Sequence, residues 1–237
     1  MFRHTAWKPI LFVVAATAAI ACDAQVTPIT WSQATPAQTQ VAVATSMSLG
    51  ISPALELAAL AQADHEQDSK CPTMWMKGSD TQVFQGENCT SRSGRIYNGR
   101  VEKTVRGEAA KRATELQFDG FSVVTTRGKL VIDGTVDESA IEASSNITLQ
   151  KDDVVMHFEA SVSCVTRSEC KTNPASHASI DGLGDFTIDL QVFEDARKNV
   201  LALKGTDELR LSPSSDADGC IPYTINDKAA PTQRICK

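Results

Sequence analysis

Histidine, aromatic side chains and positive charge are all scarce in this sequence of 237 residues, and these scarcities exclude several classes of function. The chain has four histidines, 5% aromatic residues and a formal net charge of −6 at pH 7. A nucleic-acid-binding protein needs a basic surface, and the sequence has no basic cluster that would form one. Polybasic segments of the kind that dock on anionic lipid are also missing.

Motifs that mark common catalytic and cofactor sites are missing as well. No C-x-x-C occurs in the sequence, which disfavours zinc ribbons and thioredoxin-like redox sites. The G-x-S-x-G of serine hydrolases, the full motif set of β-lactamases and the glycine-rich loops that bind phosphate do not occur either. We therefore predict no catalytic residue, no metal site and no cofactor.

Two groups of polar residues are weak exceptions. His157 and Glu159 are two residues apart on a predicted strand and share a face, but zinc sites usually need three or four protein ligands. Asp181, Asp185 and Asp189 recur every four residues, and a glycosidase needs two carboxylates separated by about 5–9 Å. Solvated strand faces often carry such residues, so we interpret both groups as surface residues without a catalytic role.

The N-terminus has the organisation of a cleaved signal peptide. Arg3 and Lys8 are followed by an eleven-residue apolar run from Ile10 to Ile20. A membrane-spanning helix needs roughly 20 apolar residues, whereas the apolar region of a signal peptide has about 7–15. The length predicts that residues 1–21 are removed during export, and a retained anchor helix is the alternative. Cleavage removes no acidic residue, so the exported chain is more negative still.

The end of this segment, Ala19-Ile20-Ala21-Cys22, resembles the lipobox of bacterial lipoproteins. In that family small residues precede a cysteine that is acylated, for example with palmitate, and becomes the new N-terminus. Ala19 departs from the family pattern, in which leucine is usual, and the same residues also fit an ordinary signal peptidase that would leave Cys22 unacylated. The resemblance implies a lipid on Cys22 and a domain held at a membrane of the bacterial cell envelope, in the periplasm or outside the cell.

The number of cysteines favours acylation of Cys22. The chain has seven cysteines, and an odd number in an exported protein leaves one without a partner. If Cys22 carries a lipid, the remaining six can all form disulfides. Six cysteines allow 15 pairings, and proximity in the chain favours three of them. These are Cys71–Cys89, Cys164–Cys170 and Cys220–Cys236.

Composition divides the exported chain into three parts. Residues 22–52 are dominated by small and polar residues, with Trp31 as the only aromatic side chain, and we predict a flexible tether there. Residues 53–66 are rich in good helix formers, and Ser52 can cap a short helix that starts at Pro53. A single β domain is expected over residues 70–237.

The β domain is predicted from hydrophobic residues that alternate with polar ones. Met156, Phe158 and Ala160 alternate with His157 and Glu159, and similar patterns recur further along the chain. A strand with one buried and one solvated face is typical of an antiparallel sheet. We predict an all-β fold: an antiparallel up-and-down sheet of about seven to nine strands, forming a sandwich, a barrel or a curled open sheet. Disulfides would brace it, and one short N-terminal helix would accompany it.

Three hypotheses for function follow. The first is a non-catalytic, membrane-tethered lipoprotein that acts in binding or in envelope structure, with the membrane as one partner and a protein as another. The second is a carrier for a lipid or another apolar ligand in a β cavity. The third is a carboxylate-based hydrolase. A packed interior would argue against the carrier, and carboxylates spread over a flat surface would argue against the hydrolase.

Overall fold

A computed structural model describes residues 27–108, 112–126, 128–166, 169–212, 215, 217–226 and 228–235. A 3-10 helix at Trp31–Gln33 is followed by two α-helices, α1 (Pro36–Ser46) and α2 (Ile51–Gln67). Within these ranges no single helix is long and apolar enough to cross a membrane, and α1 and α2 meet that test only as a pair bent by 80°.

The described residues after α2 form 14 strands of one antiparallel sheet. The strands are β1 (Thr73–Lys77), β2 (Thr81–Thr90), β3 (Ile96–Arg106), β4 (Ala113–Thr125), β5 (Gly128–Glu138), β6 (Glu142–Lys151), β7 (Val154–Thr166), β8 (Glu169–Thr172), β9 (His177–Ile180), β10 (Gly184–Val192), β11 (Val200–Lys204), β12 (Glu208–Leu211), β13 (Ile221–Ile225) and β14 (Lys228–Ile235). A second 3-10 helix at Ala196–Lys198 lies between β10 and β11.

The strands follow one another in an up-and-down order, as the sequence predicts. Each strand pairs with its neighbours in the chain, except that β8 and β9 share one position between β7 and β10. The predicted number of seven to nine strands is wrong. Strands of four residues, such as β8, β9 and β12, are too short to show a clear alternation in the sequence.

One face of the sheet is buried and the other is solvated, which confirms the alternation. On β7, Met156 and Phe158 are almost completely buried, whereas His157 and Glu159 are exposed. The buried face packs against α1 and α2, and Ala54, Leu57 and Ala58 are among the buried residues of α2. The two helices thus cover the sheet and supply the second layer that an amphipathic sheet requires.

The prediction of a flexible tether over residues 22–52 is wrong for residues 27–52. This segment contains α1. Trp31, which precedes α1, and Val43 on α1 are both buried in the main hydrophobic core. Thr35 and Gln38 form a capping box at the start of α1, with Pro36 in the first turn. Composition does not indicate this burial, because the segment has few large apolar side chains, although most of them, such as Ile29 and Leu49, are buried. The helix predicted at 53–66 is observed slightly longer, at Ile51–Gln67.

The first described residues lie against the sheet. Pro28 forms a parallel bridge with Asp185 on β10, through hydrogen bonds from Ile29 N to Asp185 O (2.8 Å) and from Asp185 N to Thr27 O (2.9 Å). A Cβ atom on Gly205 would lie 2.2 Å from the carbonyl oxygen of Ile29. Glycine is therefore required at this position for the segment to approach so closely.

Because the strands run up and down, the sheet has two distinct ends. The N-terminal segment meets the sheet at one of these ends, which we call the entry end. It carries the turns β2–β3, β4–β5, β6–β7, β9–β10 and β11–β12. The far end carries the turns β1–β2, β3–β4, β5–β6, β7–β8 and β10–β11. The strand β7 connects the two ends over 13 residues.

Candidate ligand-binding cleft

A cleft of about 640 Å³ lies at the far end of the sheet. The register explains its position, because Glu138, Ala143, Val162 and Thr172 lie in one row across β5, β6, β7 and β8. The charged side chains that line it are Arg106, Glu115, Asp137, Glu138, Glu142 and Lys171. Serine, threonine and asparagine side chains and a few small apolar groups form the rest of the lining.

The lining of the cleft carries more negative than positive charge. Arg106 and Glu115 form an ion pair of 3.0 Å, which neutralises one acid and one base. The remaining charged lining residues are three acids, Asp137, Glu138 and Glu142, and one cation, Lys171. Charge complementarity therefore favours a ligand that is polar and positively charged.

The sequence analysis did not identify this cleft. Its residues come from the ends of six strands and from the turns between them, and they are far apart in the chain. The only local sequence pattern near the cleft is a cluster of three acidic residues, Asp137, Glu138 and Glu142. Such a cluster near a turn is ordinary on a soluble surface, so the pattern alone could not indicate a site.

His157 and Asp181, two of the weak candidates, do come together. Nε2 of His157 lies 2.9 Å from Oδ1 of Asp181, and Nδ1 lies 2.9 Å from the Thr148 hydroxyl. The His157 and Asp181 side chains are 48% and 60% exposed on the solvated face of the sheet. Glu159 lies beside a different histidine, His177, at 3.9 Å. This arrangement is an open hydrogen-bonded surface cluster.

Asp185 and Asp189 are too far apart to form a pair of catalytic carboxylates. Asp185 and Asp189 are four residues apart on β10, which places their backbones roughly 13 Å from each other. Asp189 is held by the Gln191 amide and by Lys204, and these hydrogen bonds lower the pKa of its carboxyl group below the ordinary value. In the described parts of the chain, no group of three or more potential ligands is arranged to hold a metal ion.

The predicted disulfides are observed where both cysteines are described. Cys71 is bonded to Cys89, and Cys164 is bonded to Cys170 across the β7–β8 hairpin. Cys220 is also disulfide-bonded, while Cys236 and the predicted lipid-attachment residue Cys22 lie outside the described residues.

An exposed aromatic group lies on the solvated side of β1. Trp75 is 39% exposed, and the guanidinium of Arg100 lies 5.5 Å from the centre of its ring. Arg100 and Lys77 both form ion pairs with Glu102. Phe84 on β2 and Tyr97 on β3, by contrast, are completely buried.

Comparison of the chain with protein-family models, with curated proteins and with solved structures found no match. The features of this chain that bear on its function are therefore the cleft, the disulfides and the N-terminal motif.

Proposed function

We propose that this chain is a non-catalytic bacterial lipoprotein that is exported, anchored through Cys22, and binds a positively charged polar ligand in the far-end cleft. The observation that carries the proposal is the cleft itself. Its volume of about 640 Å³ falls within the range of roughly 300–1,000 Å³ typical of small-molecule sites. Side chains from several adjacent strands hold its shape, so the cleft is built on a rigid scaffold.

Two features support export. The described residues contain two complete disulfides, and disulfides persist in oxidising compartments such as the bacterial periplasm. The N-terminal apolar run has the length of a signal peptide, and the lipobox-like segment ends at Cys22.

The carrier hypothesis is less favoured by the packing. An apolar ligand would occupy the buried face of the sheet, but Trp31, Leu57 and Phe158 fill the space there together with the other core residues. The hydrolase hypothesis is also less favoured, because His157 and Asp181 are on an open surface rather than in a cleft.

The ligand-binding part of the proposal is tested by calorimetric titration with spermidine, a small polyvalent cation. We expect saturable binding that weakens with added salt. The double variant Asp137→Asn/Glu142→Gln should bind about tenfold more weakly, equivalent to about 1.4 kcal/mol. The control Glu87→Gln/Asp153→Asn removes two exposed acids away from the cleft and should bind like the wild type. Equal affinity of both double variants would disprove a site at the cleft.

The anchor is tested in cells by labelling with a fatty acid and by membrane fractionation. Wild-type protein should incorporate label and sediment with membranes. Cys22→Ser should lose both properties, because the substituted side chain offers no thiol for acylation. Membrane association that persists without label in Cys22→Ser would rule out the lipid anchor.

A further inference from the structure

The described N-terminal segment joins the sheet at the entry end. At Pro28 the segment runs parallel to β10, and β10 runs from the entry end of the sheet to its far end. Thr27, the first described residue, therefore lies at the entry end, next to Asp185. The far-end cleft lies on the opposite side of the domain.

The described segment that begins at Thr27 is held firmly against the sheet. Asp207 accepts hydrogen bonds from the backbone N–H groups of Trp31 and Ser32. The Trp31 side chain is 1% exposed and packs edge-on against Phe186, with 5.0 Å between ring centres. These contacts leave Thr27 in a fixed position beside β10.

Only a short length of chain separates Thr27 from the proposed lipid on Cys22. Cys22 is five residues from Thr27, and five residues span at most about 17 Å when fully extended. The strand β7, by contrast, extends roughly 43 Å over its 13 residues. The span from Thr27 to a bilayer that holds the lipid of Cys22 is thus much shorter than the distance between the two ends of the sheet.

We infer that the entry end of the sheet faces the lipid bilayer and that the far-end cleft faces the aqueous compartment. The inference rests on the proposed acylation of Cys22. It assigns the turns β2–β3, β6–β7 and β9–β10 to the membrane-facing surface. It also means that the ligand of the cleft arrives from solution and not from the membrane.

The test is energy transfer between a dye on the protein and an acceptor lipid in vesicles that carry the full-length acylated protein. Single exposed residues in turns provide matched labelling positions: Arg92→Cys and Asp153→Cys at the entry end, Ser79→Cys and Lys198→Cys at the far end. We expect efficient transfer from both entry-end dyes and loss of transfer from both far-end dyes. Equal transfer from all four positions would overturn the inference, since it would show a domain lying on its side.

A longer tether provides the control. Inserting 20 Gly and Ser residues after Ala24 adds a flexible chain with an end-to-end distance of about 25 Å. The difference between entry-end and far-end dyes should then shrink. A difference that persists unchanged would show that something other than the short connection orients the domain.

Mass spectrometry of the same samples separates the two proposals. Acylated protein with equal transfer from all dyes would disprove the orientation and leave the anchor intact. Protein without an acyl group at Cys22 would disprove the anchor, and with it the orientation that depends on it.

Discussion

The hydroxyl group of Tyr97 donates a hydrogen bond of 2.9 Å to Oδ2 of Asp64, across 33 residues of sequence. Asp64 is on α2 and is 1% exposed, and Tyr97 is on β3 and completely buried. The same carboxylate accepts hydrogen bonds from Ser93 and from Arg95 at 2.8 Å. The cluster connects the helical layer to the β2–β3 turn at the entry end, which is the surface that we assign to the membrane side.

We predict that Asp64→Asn lowers the free energy of unfolding by about 2 kcal/mol, because the buried partners lose a charged acceptor. Urea denaturation followed by circular dichroism measures this change. Asp153→Asn, on an exposed turn, is the control and should unfold like the wild type. A variant at position 64 that is as stable as the control would show that the cluster adds no net stability.

The cluster also predicts how stability depends on acid. Burial alone would raise the pKa of Asp64, but the hydrogen bonds from Tyr97 and its neighbours outweigh burial and hold the pKa below the ordinary value of 3.8. The stabilising contribution is therefore complete above pH 3.8 and is lost as the pH falls from there through the folded pKa. Asp64→Asn has no carboxyl group to protonate at this position. Its melting temperature should therefore fall less than that of the wild type as the pH is lowered below 3.8. An identical profile for both proteins would contradict the assignment.

Gly205 allows the N-terminal segment to lie against the turn β11–β12. Gly205→Ala should displace Ile29, because the new methyl group would lie 2.2 Å from a backbone oxygen, and overpacking of this kind costs about 1–3 kcal/mol. Limited proteolysis should then cut the chain before Trp31 faster than in the wild type. At Gly182 a Cβ atom meets no atom within 4 Å, although the backbone angle φ is +73°. Gly182→Ala should therefore lose some stability and keep the wild-type cleavage rate.

The two complete disulfides should differ in their contribution to stability. Cys71–Cys89 encloses a longer loop than Cys164–Cys170, with separations of 18 and 6 residues. Loop-closure entropy predicts a loss of about 3 kcal/mol when the first is replaced by serines and about 2 kcal/mol for the second. The melting temperature should fall further for Cys71→Ser/Cys89→Ser. The opposite order would show that loop entropy does not dominate.

The sequence predicts what depends on local pattern. The alternation of apolar and polar residues predicted the antiparallel sheet, because each strand has one buried and one solvated face. The closeness of cysteines in the chain predicted the disulfides Cys71–Cys89 and Cys164–Cys170. The burial of residues 27–52 depends on remote contacts. Trp31 is enclosed by Phe186 and bonded to Asp207, both more than 150 residues later, and composition carries no record of such partners. The cleft escaped prediction for the same reason, since it exists only when the ends of β3 to β8 lie side by side.

The bridge between Pro28 and Asp185 has a consequence for biogenesis. If the chain is exported from its N-terminus, as we propose, residues 27–31 cross the membrane long before Asp185, Phe186 and Asp207, which they contact in the folded protein. Contacts between such distant residues form late, because the intervening chain must first be arranged. Under the proposed export, the segment that emerges first would thus be among the last to be buried, and Trp31 would stay accessible to water and to chaperones until nearly the whole chain has crossed.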